Sequence, residues 1–149
     1  MRITAELLSR AEQRTNPVDE RELVLSGLGI VAIENLSAFP QIESTFDCLD
    51  LSNNRLLALE NFPRLQRITT LLVPGNRLEG VDAHNLRQNL PQLKNLSAGH
   101  NHLASLSQVA ALGTACPRLE FLDLTGNPVT RKWWCVRASA KECDSAVYG

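Results

Sequence analysis

Aromatic side chains are scarce, at 5% of this 149-residue chain, so we expect a core of many small aliphatic layers. Neither sign of charge is in excess, since 15 Lys+Arg face 16 Asp+Glu, which excludes a strongly basic nucleic-acid binder. No apolar run approaches the ~20 residues that a membrane span needs, so we expect no membrane partner. The first residues, MRITAELLSRAEQR, carry charges every few positions, and we expect no secretory signal there.

The residues of catalytic and metal sites are also sparse. No phosphate-binding glycine loop, nucleophile elbow or metal-ligand pair is present, so we expect no enzyme, no metal, no cofactor and no small-molecule substrate. No cysteine pair has CxxC spacing, which favours reduced thiols over a disulfide or zinc site at Cys48, Cys116, Cys135 and Cys143. Three histidines lack a catalytic partner in the sequence, and we expect His100 and His102 to face solvent.

Leucine and asparagine are abundant, with 25 and 11 copies, and they recur in register. The pattern L-x-L-x-x-N-x-L occurs at Leu49–Leu56, Leu71–Leu78, Leu96–Leu103 and Leu122–Val129, with conservative replacements. A copy with leucine in place of asparagine lies at Leu23–Ile30. The first leucines are 26, 22, 25 and 26 residues apart, a spacing typical of leucine-rich repeats.

This pattern predicts an α/β fold, a leucine-rich repeat solenoid. Each L-x-L is a short strand, and about five strands form a curved parallel sheet on the concave face. Short helices and loops cover the convex face, with helical segments within 79–93 and 103–115. We expect an N-terminal cap at 1–20, five repeats at 21–132 and a C-terminal cap or divergent tail at 133–149.

The asparagine of each repeat follows its strand, where the chain turns. Its side-chain amide can bond to backbone groups of the turn and of the neighbouring repeat. We therefore expect structural roles for Asn54, Asn76, Asn101 and Asn127.

The ends of a solenoid need caps, because an end repeat otherwise exposes core leucines. Residues 4–14 predict a helical cap with Thr4 as its N-cap and an end at Asn16-Pro17. At the other end, Trp133 and Trp134 could form an aromatic lid or bind a partner, and the lid is favoured.

The non-leucine strand positions should face out of the concave side. They are predicted to bind a partner: Glu22, Val24, Ser26, Cys48, Asp50, Ser52, Thr70, Leu72, Pro74, Asn95, Ser97, Gly99, Phe121, Asp123 and Thr125. Val24, Leu72 and Phe121 are apolar, and the charges are acidic without any Lys or Arg. An apolar patch with an acidic border suits an amphipathic helix with basic neighbours and repels phosphate. Arg131 and Lys132, beside the tryptophans, could add weak RNA-backbone contacts.

Three segments resemble one family in particular. The stretch from Thr4 to Leu36, which includes RELVLSGLGI and IENL, is similar to the cap and first repeat of the A-prime family of the U2 small nuclear ribonucleoprotein. The stretch 61–78, NFPRLQRITTLLVPGNRL, resembles its third repeat, and 126–132, GNPVTRK, its last. Residues 38–46 and 133–149 depart from the family pattern, in that the tail lacks the usual Tyr-containing cap and further strand-like segment.

The resemblance implies a nuclear, non-catalytic scaffold of pre-mRNA splicing. In that family the concave face holds a helix of an RNA-recognition-motif partner of the B-double-prime type. The pair then binds a stem-loop of U2 small nuclear RNA, mainly through the partner. The alternative is another intracellular leucine-rich repeat adaptor, such as an acidic nuclear phosphoprotein or a phosphatase-regulating or axonemal type, and an acidic tail typical of the first is absent from the sequence.

Overall fold

The computed structural model describes residues 3–38, 42–132 and 147–148. The N-terminal part contains α1 (Ala5–Arg10), β1 (Glu12–Thr15), β2 (Arg21–Val24), a 3-10 helix (Leu36–Ala38) and α2 (Ile42–Thr45). The central part contains β3 (Cys48–Asp50), β4 (Ala58–Leu59), β5 (Thr70–Leu72), β6 (Gly80–Val81) and α3 (Ala83–Asn89). The last part contains β7 (Asn95–Ser97), α4 (Leu106–Ala115), β8 (Phe121–Asp123), a 3-10 helix (Pro128–Lys132) and β9 (Val147–Tyr148).

The main sheet has the strand order β1-β2-β3-β5-β7-β8-β9. Its five central strands are the five predicted L-x-L segments, and they pair in parallel, so the predicted repeat register is confirmed. The leucine at the centre of each strand lies directly beside the next, and Leu23, Leu49, Leu71, Leu96 and Leu122 are all buried. Because each repeat covers its neighbour's leucines, the core is continuous along the arc.

Two strands of this sheet were not expected. At the first edge β1 pairs antiparallel with β2, with Glu12 opposite Val24 and Thr15 opposite Arg21. At the other edge Val147 lies opposite Leu122 and Tyr148 opposite Asp123, in parallel. The expectation that the tail adds no further strand-like segment is therefore wrong at residues 147–148, while Trp133 and Trp134 lie outside the described residues.

The N-terminal cap is only partly helical. Thr4 caps α1 as predicted, because its hydroxyl accepts a hydrogen bond from the Leu7 amide at 3.1 Å. The helix ends at Arg10, however, not at Asn16-Pro17. The side chain of Asn16 accepts hydrogen bonds from the amides of Val18 and Glu20, and it folds the chain into the hairpin turn between β1 and β2.

The convex side carries the helices predicted there. The Asp82 side chain caps α3 and the Ser105 side chain caps α4, each by accepting a bond from the amide three residues on. Leu86 and Val109 on these helices are buried against the leucine layers. In addition, β4 and β6 form a second, two-stranded parallel sheet.

The four repeat asparagines connect the repeats to one another. Each is buried, and each amide nitrogen donates to carbonyl groups of its own repeat and of the preceding one. The Asn76 amide nitrogen, for example, donates to the carbonyls of Leu51 and Val73 at 3.0 Å, and its oxygen accepts from the Leu56 amide at 3.1 Å. These bonds satisfy backbone groups that the turn would otherwise bury without a partner.

Replacement of Asn76 by alanine should therefore destabilise the fold. A buried polar group without a partner costs about 1–3 kcal/mol, so we expect a loss of that size or more in the free energy of unfolding. Urea denaturation followed by circular dichroism measures it. Gln88→Ala, at an exposed position of α3, is the control and should leave the urea midpoint of unfolding unchanged. Equal midpoints for the two variants would contradict the stabilising role of the asparagine bonds between repeats.

The position directly before Asn127, occupied by Gly126, requires glycine for two reasons. Its φ is +77°, and a Cβ atom there would lie 2.5 Å from Nδ1 of His100. We expect Gly126→Ala to lower the stability by about 1–3 kcal/mol, because a left-handed backbone strains other residues. Gly113→Ala, in the open part of α4, should instead raise it by about 0.5–1 kcal/mol. Equal thermal shifts for these two alanine variants would refute this account.

Candidate protein-binding face

The non-leucine side chains of neighbouring strands line up in rows that cross the concave face. The central row contains Glu12, Val24, Asp50, Leu72, Ser97 and Asp123. A second row contains Arg14, Glu22, Cys48, Thr70, Asn95 and Phe121. One position just beyond each strand is equivalent in all five repeats, and backbone hydrogen bonds there extend the pairing between neighbouring repeats. The residues at this position are Ser26, Ser52, Pro74, Gly99 and Thr125.

Part of the second row is buried rather than exposed to solvent, contrary to expectation. Glu22 is 3% exposed and Cys48 is 0% exposed, so the prediction that these side chains meet water is wrong. The Arg14 guanidinium donates to one carboxylate oxygen of Glu22, and the Cys48 thiol donates to the other at 3.2 Å. Thr70 is also buried, and its hydroxyl donates to the Glu20 carboxylate.

The hairpin strand β1 brings a cation to this face. The prediction of a concave face without Lys or Arg holds for the fifteen strand positions but misses Arg14, which is exposed opposite the buried Glu22. The hydrogen bond with Glu22 raises the pKa of Arg14 above its usual value, so the guanidinium stays charged and neutralises that carboxylate. Glu22 therefore does not contribute free negative charge to a partner site.

The three predicted apolar residues do not form one patch. Val24 and Leu72 share the central row, but β3 lies between them and places Asp50 in the gap. Phe121, 40% exposed, lies in the second row on β8, the last of the five repeat strands. The apolar groups are thus interleaved with acids, and the sequence could not show this because the rows depend on the three-dimensional register.

Two aspartates of the central row are held in the same way. The Asp50 carboxylate accepts hydrogen bonds from the amide and hydroxyl of Ser52, and Asp123 accepts the same pair from Thr125. Each bond pair uses one oxygen, Oδ1, and so fixes the rotamer of the carboxylate at the end of its strand. Asp50 is only 6% exposed and lies between Val24 and Leu72 in the row.

The remaining predicted residues have simpler placements. Among the described strand and turn positions, Asn95, Ser97, Ser26, Ser52 and Pro74 are half-buried, Gly99 is buried and Thr125 is exposed. His100 and His102 are exposed, as expected. The backbone of Arg131 and Lys132 lies in the final 3-10 helix, but their side chains are outside the description.

Among the residues that the structure describes, no group of three or more His, Cys, Asp or Glu could hold a metal ion. No helix in the described ranges is long and apolar enough to cross a membrane.

Comparison with known proteins identifies the family. A family model described as leucine-rich repeat matches residues 1–137. The U2 small nuclear ribonucleoprotein A′ of Arabidopsis thaliana is 39% identical over 132 residues, and that of Homo sapiens is 40% identical over 136 residues. A chain from the crystal structure of the Drosophila melanogaster SNF/U2A′ complex superposes with a TM-score of 0.86 at 36% identity, over 98% of this chain and 81% of that one.

This chain belongs to the A′ family of U2 small nuclear ribonucleoprotein leucine-rich repeat proteins. The resemblance read from the cap, the third repeat and the last repeat is confirmed. The comparisons show this family and not the alternative adaptor types, an acidic nuclear phosphoprotein or a phosphatase-regulating or axonemal protein. The matches with the Arabidopsis and human proteins include 89% of this chain but 51% and 50% of theirs, so the chain spans about half the length of these relatives.

The buried thiols of this chain should be unreactive in the folded state. Burial raises the pKa of Cys116 to about 11, and burial together with the bond to Glu22 raises that of Cys48, so both remain protonated at pH 8. In a Cys135→Ser, Cys143→Ser background, we expect an aromatic disulfide reagent to label neither thiol at pH 8 until urea unfolds the chain.

The pH dependence has a definite sign. A thiol whose folded pKa is raised stabilises the fold below its unfolded pKa of about 8.5, and this stabilisation is lost as the pH rises toward the folded value. Labelling without urea should therefore become faster above pH 9, because the fold loses stability and opens more often. This acceleration should be smaller in a Cys116→Ala variant. Rapid labelling at pH 8 without urea would contradict the burial of these residues.

Proposed function

We propose that this chain is a non-catalytic scaffold of the U2 small nuclear ribonucleoprotein in the nucleus. It binds an RNA-recognition-motif partner of the B-double-prime type through its concave face and helps that partner bind a stem-loop of U2 small nuclear RNA. One observation carries the proposal: the chain superposes over 98% of its length on a chain from a two-protein complex, SNF/U2A′.

The geometry of the concave face supports a protein partner. Val24, Leu72 and Phe121 offer apolar surface, and the half-buried Asp123 offers an acceptor for a basic side chain. Protein interfaces combine such apolar anchors with polar groups that need partners. The acids of this face repel phosphate, so RNA is held mainly by the partner, with weak backbone contacts from Arg131 and Lys132.

Calorimetric titration tests this function. We expect one-to-one binding when the chain is titrated into the RNA-recognition-motif protein of the same U2 particle, and added stem-loop RNA should join only the pair. RNA binding by the chain alone should be weak and should disappear as salt is raised. Absence of binding to that protein, or tight RNA binding by the chain alone at physiological salt, would overturn the proposal.

Two leucines give a matched pair of variants. Leu72 stands in the central concave row, whereas Leu57, 55% exposed, lies beside β4 and away from that row. We expect Leu72→Glu to weaken partner binding by a hundredfold or more, since a charge at an interface core costs about 3 kcal/mol or more. Leu57→Glu should bind like wild type. Circular dichroism verifies that both variants fold, and equal affinities would show that the concave face is not the binding surface.

A further inference from the structure

In three repeats, two side chains that follow the asparagine are exposed to solvent. In the second repeat Asn54 and Leu56 are buried, whereas Arg55 and Leu57, which alternate with them, are exposed. Alternate residues of an extended segment point to the same side, so the two exposed side chains share one face. The third and fourth repeats show the same alternation and expose one pair each: Arg77 with Glu79, and His102 with Ala104.

Backbone hydrogen bonds hold these segments side by side. The Arg77 amide donates to the Leu56 carbonyl at 3.0 Å. The His102 amide donates to the Leu78 carbonyl at 2.9 Å, and the Arg55 amide bonds in the same way to the first repeat. Because hydrogen-bonded segments lie about 4.8 Å apart, the side chains of Arg55, Arg77 and His102 form one row across three repeats.

A second row runs beside the first and begins with apolar side chains. Val31 of the first repeat is 43% exposed, and Leu57 of the second is 55% exposed. They occupy equivalent positions, since each directly follows a buried residue, Ile30 or Leu56. They are two of four large hydrophobic side chains that are exposed in the described part of the chain. Their place in adjacent repeats makes them a pair of anchors that a partner can cover.

The arginines of the first row are available to a partner. Among the described residues, neither Arg55 nor Arg77 forms an ion pair, whereas other arginines of the chain do. Glu79 follows Arg77 by two residues, and no ion pair joins them. A guanidinium group presents a planar fork of donors that matches a carboxylate, so the row suits acidic side chains.

From these two rows we infer a second protein-binding surface, the flank surface, formed by Arg55, Arg77, His102, Val31 and Leu57. Its occupant is an extended segment of another protein that alternates acidic and apolar residues and lies between the rows. Alternate side chains of such a segment point in opposite directions. Its carboxylates therefore meet the basic row, while its apolar side chains pack on Val31 and Leu57.

A nucleic-acid backbone fits this surface less well. Phosphates would bind to Arg55 and Arg77, but they gain nothing from the exposed leucine beside them. Glu79, which lies in the second row, repels phosphate. An acidic and apolar peptide uses both rows, and the observations therefore favour a protein as the occupant.

The flank surface is separate from the concave rows. Leu72 lies on β5 in the main sheet, whereas Leu57 lies beside β4, which pairs with β6 in the second sheet. A partner on one surface therefore leaves the other open. The inference goes beyond the proposed function, because it gives the chain a second protein partner that binds independently of the first.

A designed peptide tests the flank surface. The probe is a fluorescein-labelled decapeptide that alternates glutamate and leucine. Two control peptides change one property each, with lysine in place of glutamate in the first and serine in place of leucine in the second. We expect the probe to bind at least tenfold more tightly than either control at low salt, measured by fluorescence anisotropy. Equal affinities for the probe and either control would overturn the inference.

Matched variants locate the contact on the chain. Leu57→Glu should weaken probe binding tenfold or more, whereas Leu72→Glu should leave it unchanged. Arg77→Gln should also weaken it, and Arg118→Gln, which removes an exposed arginine just before β8, should not. Circular dichroism verifies that all four variants fold. If Arg77→Gln and Arg118→Gln bind the probe equally well, the peptide binds elsewhere and the inference is wrong.

Two further measurements separate the alternatives. A single-stranded RNA of ten uridines should bind more weakly than the probe. If it binds more tightly and Arg77→Gln weakens it, the surface binds nucleic acid and the inference fails. The probe should also bind the preformed pair of this chain and its RNA-recognition-motif partner, and its exclusion from the pair would show that the surfaces overlap. A chain that binds the probe but not that partner retains the flank surface and loses the proposed function.

Discussion

The side chains of four asparagines hold this structure together. A leucine-rich repeat buries the backbone of its turn, and buried amides and carbonyls need partners. Asn54, Asn76, Asn101 and Asn127 supply them across the boundary between repeats, so each asparagine ties two repeats in a fixed register. The first repeat has Leu28 at this position, which is consistent with its place at the end of the parallel stack: the neighbour before it is the antiparallel β1, with no equivalent turn to bond.

Because the register is fixed, residues at the same position of successive repeats line up in rows on the sheet. Residues 22 to 26 positions apart in the chain become neighbours about 4.8 Å apart on the concave face. A change at one strand position therefore alters one step of a row and leaves the neighbouring steps in place. The leucines and asparagines of the repeats are buried, whereas Val24, Leu72, Ser97 and Asp123 of the central row are half-buried and leave part of their surface on the concave face.

The repeat pattern predicted the parallel strands, the buried leucines and the convex helices, since each follows from local spacing. It failed where the outcome depends on contacts between distant segments. The stretch Glu12–Thr15 has no apolar residue to mark a strand, and it becomes one through the Asn16 turn and its pairing with β2. Glu12 and Arg14 were consequently missed as surface residues. The burial of Cys48 was also hidden, because the groups that close over it, Glu22 and Arg14, lie on two other strands.

The interleaving of Val24 and Leu72 with Asp50 reconciles two demands on a binding face. A continuous apolar patch would bind many surfaces and favour aggregation before its partner arrives. Asp50 separates the two apolar side chains, is 6% exposed and already accepts hydrogen bonds from the amide and the hydroxyl of Ser52. Its carboxylate therefore interrupts the apolar surface without adding a buried polar group that lacks a partner.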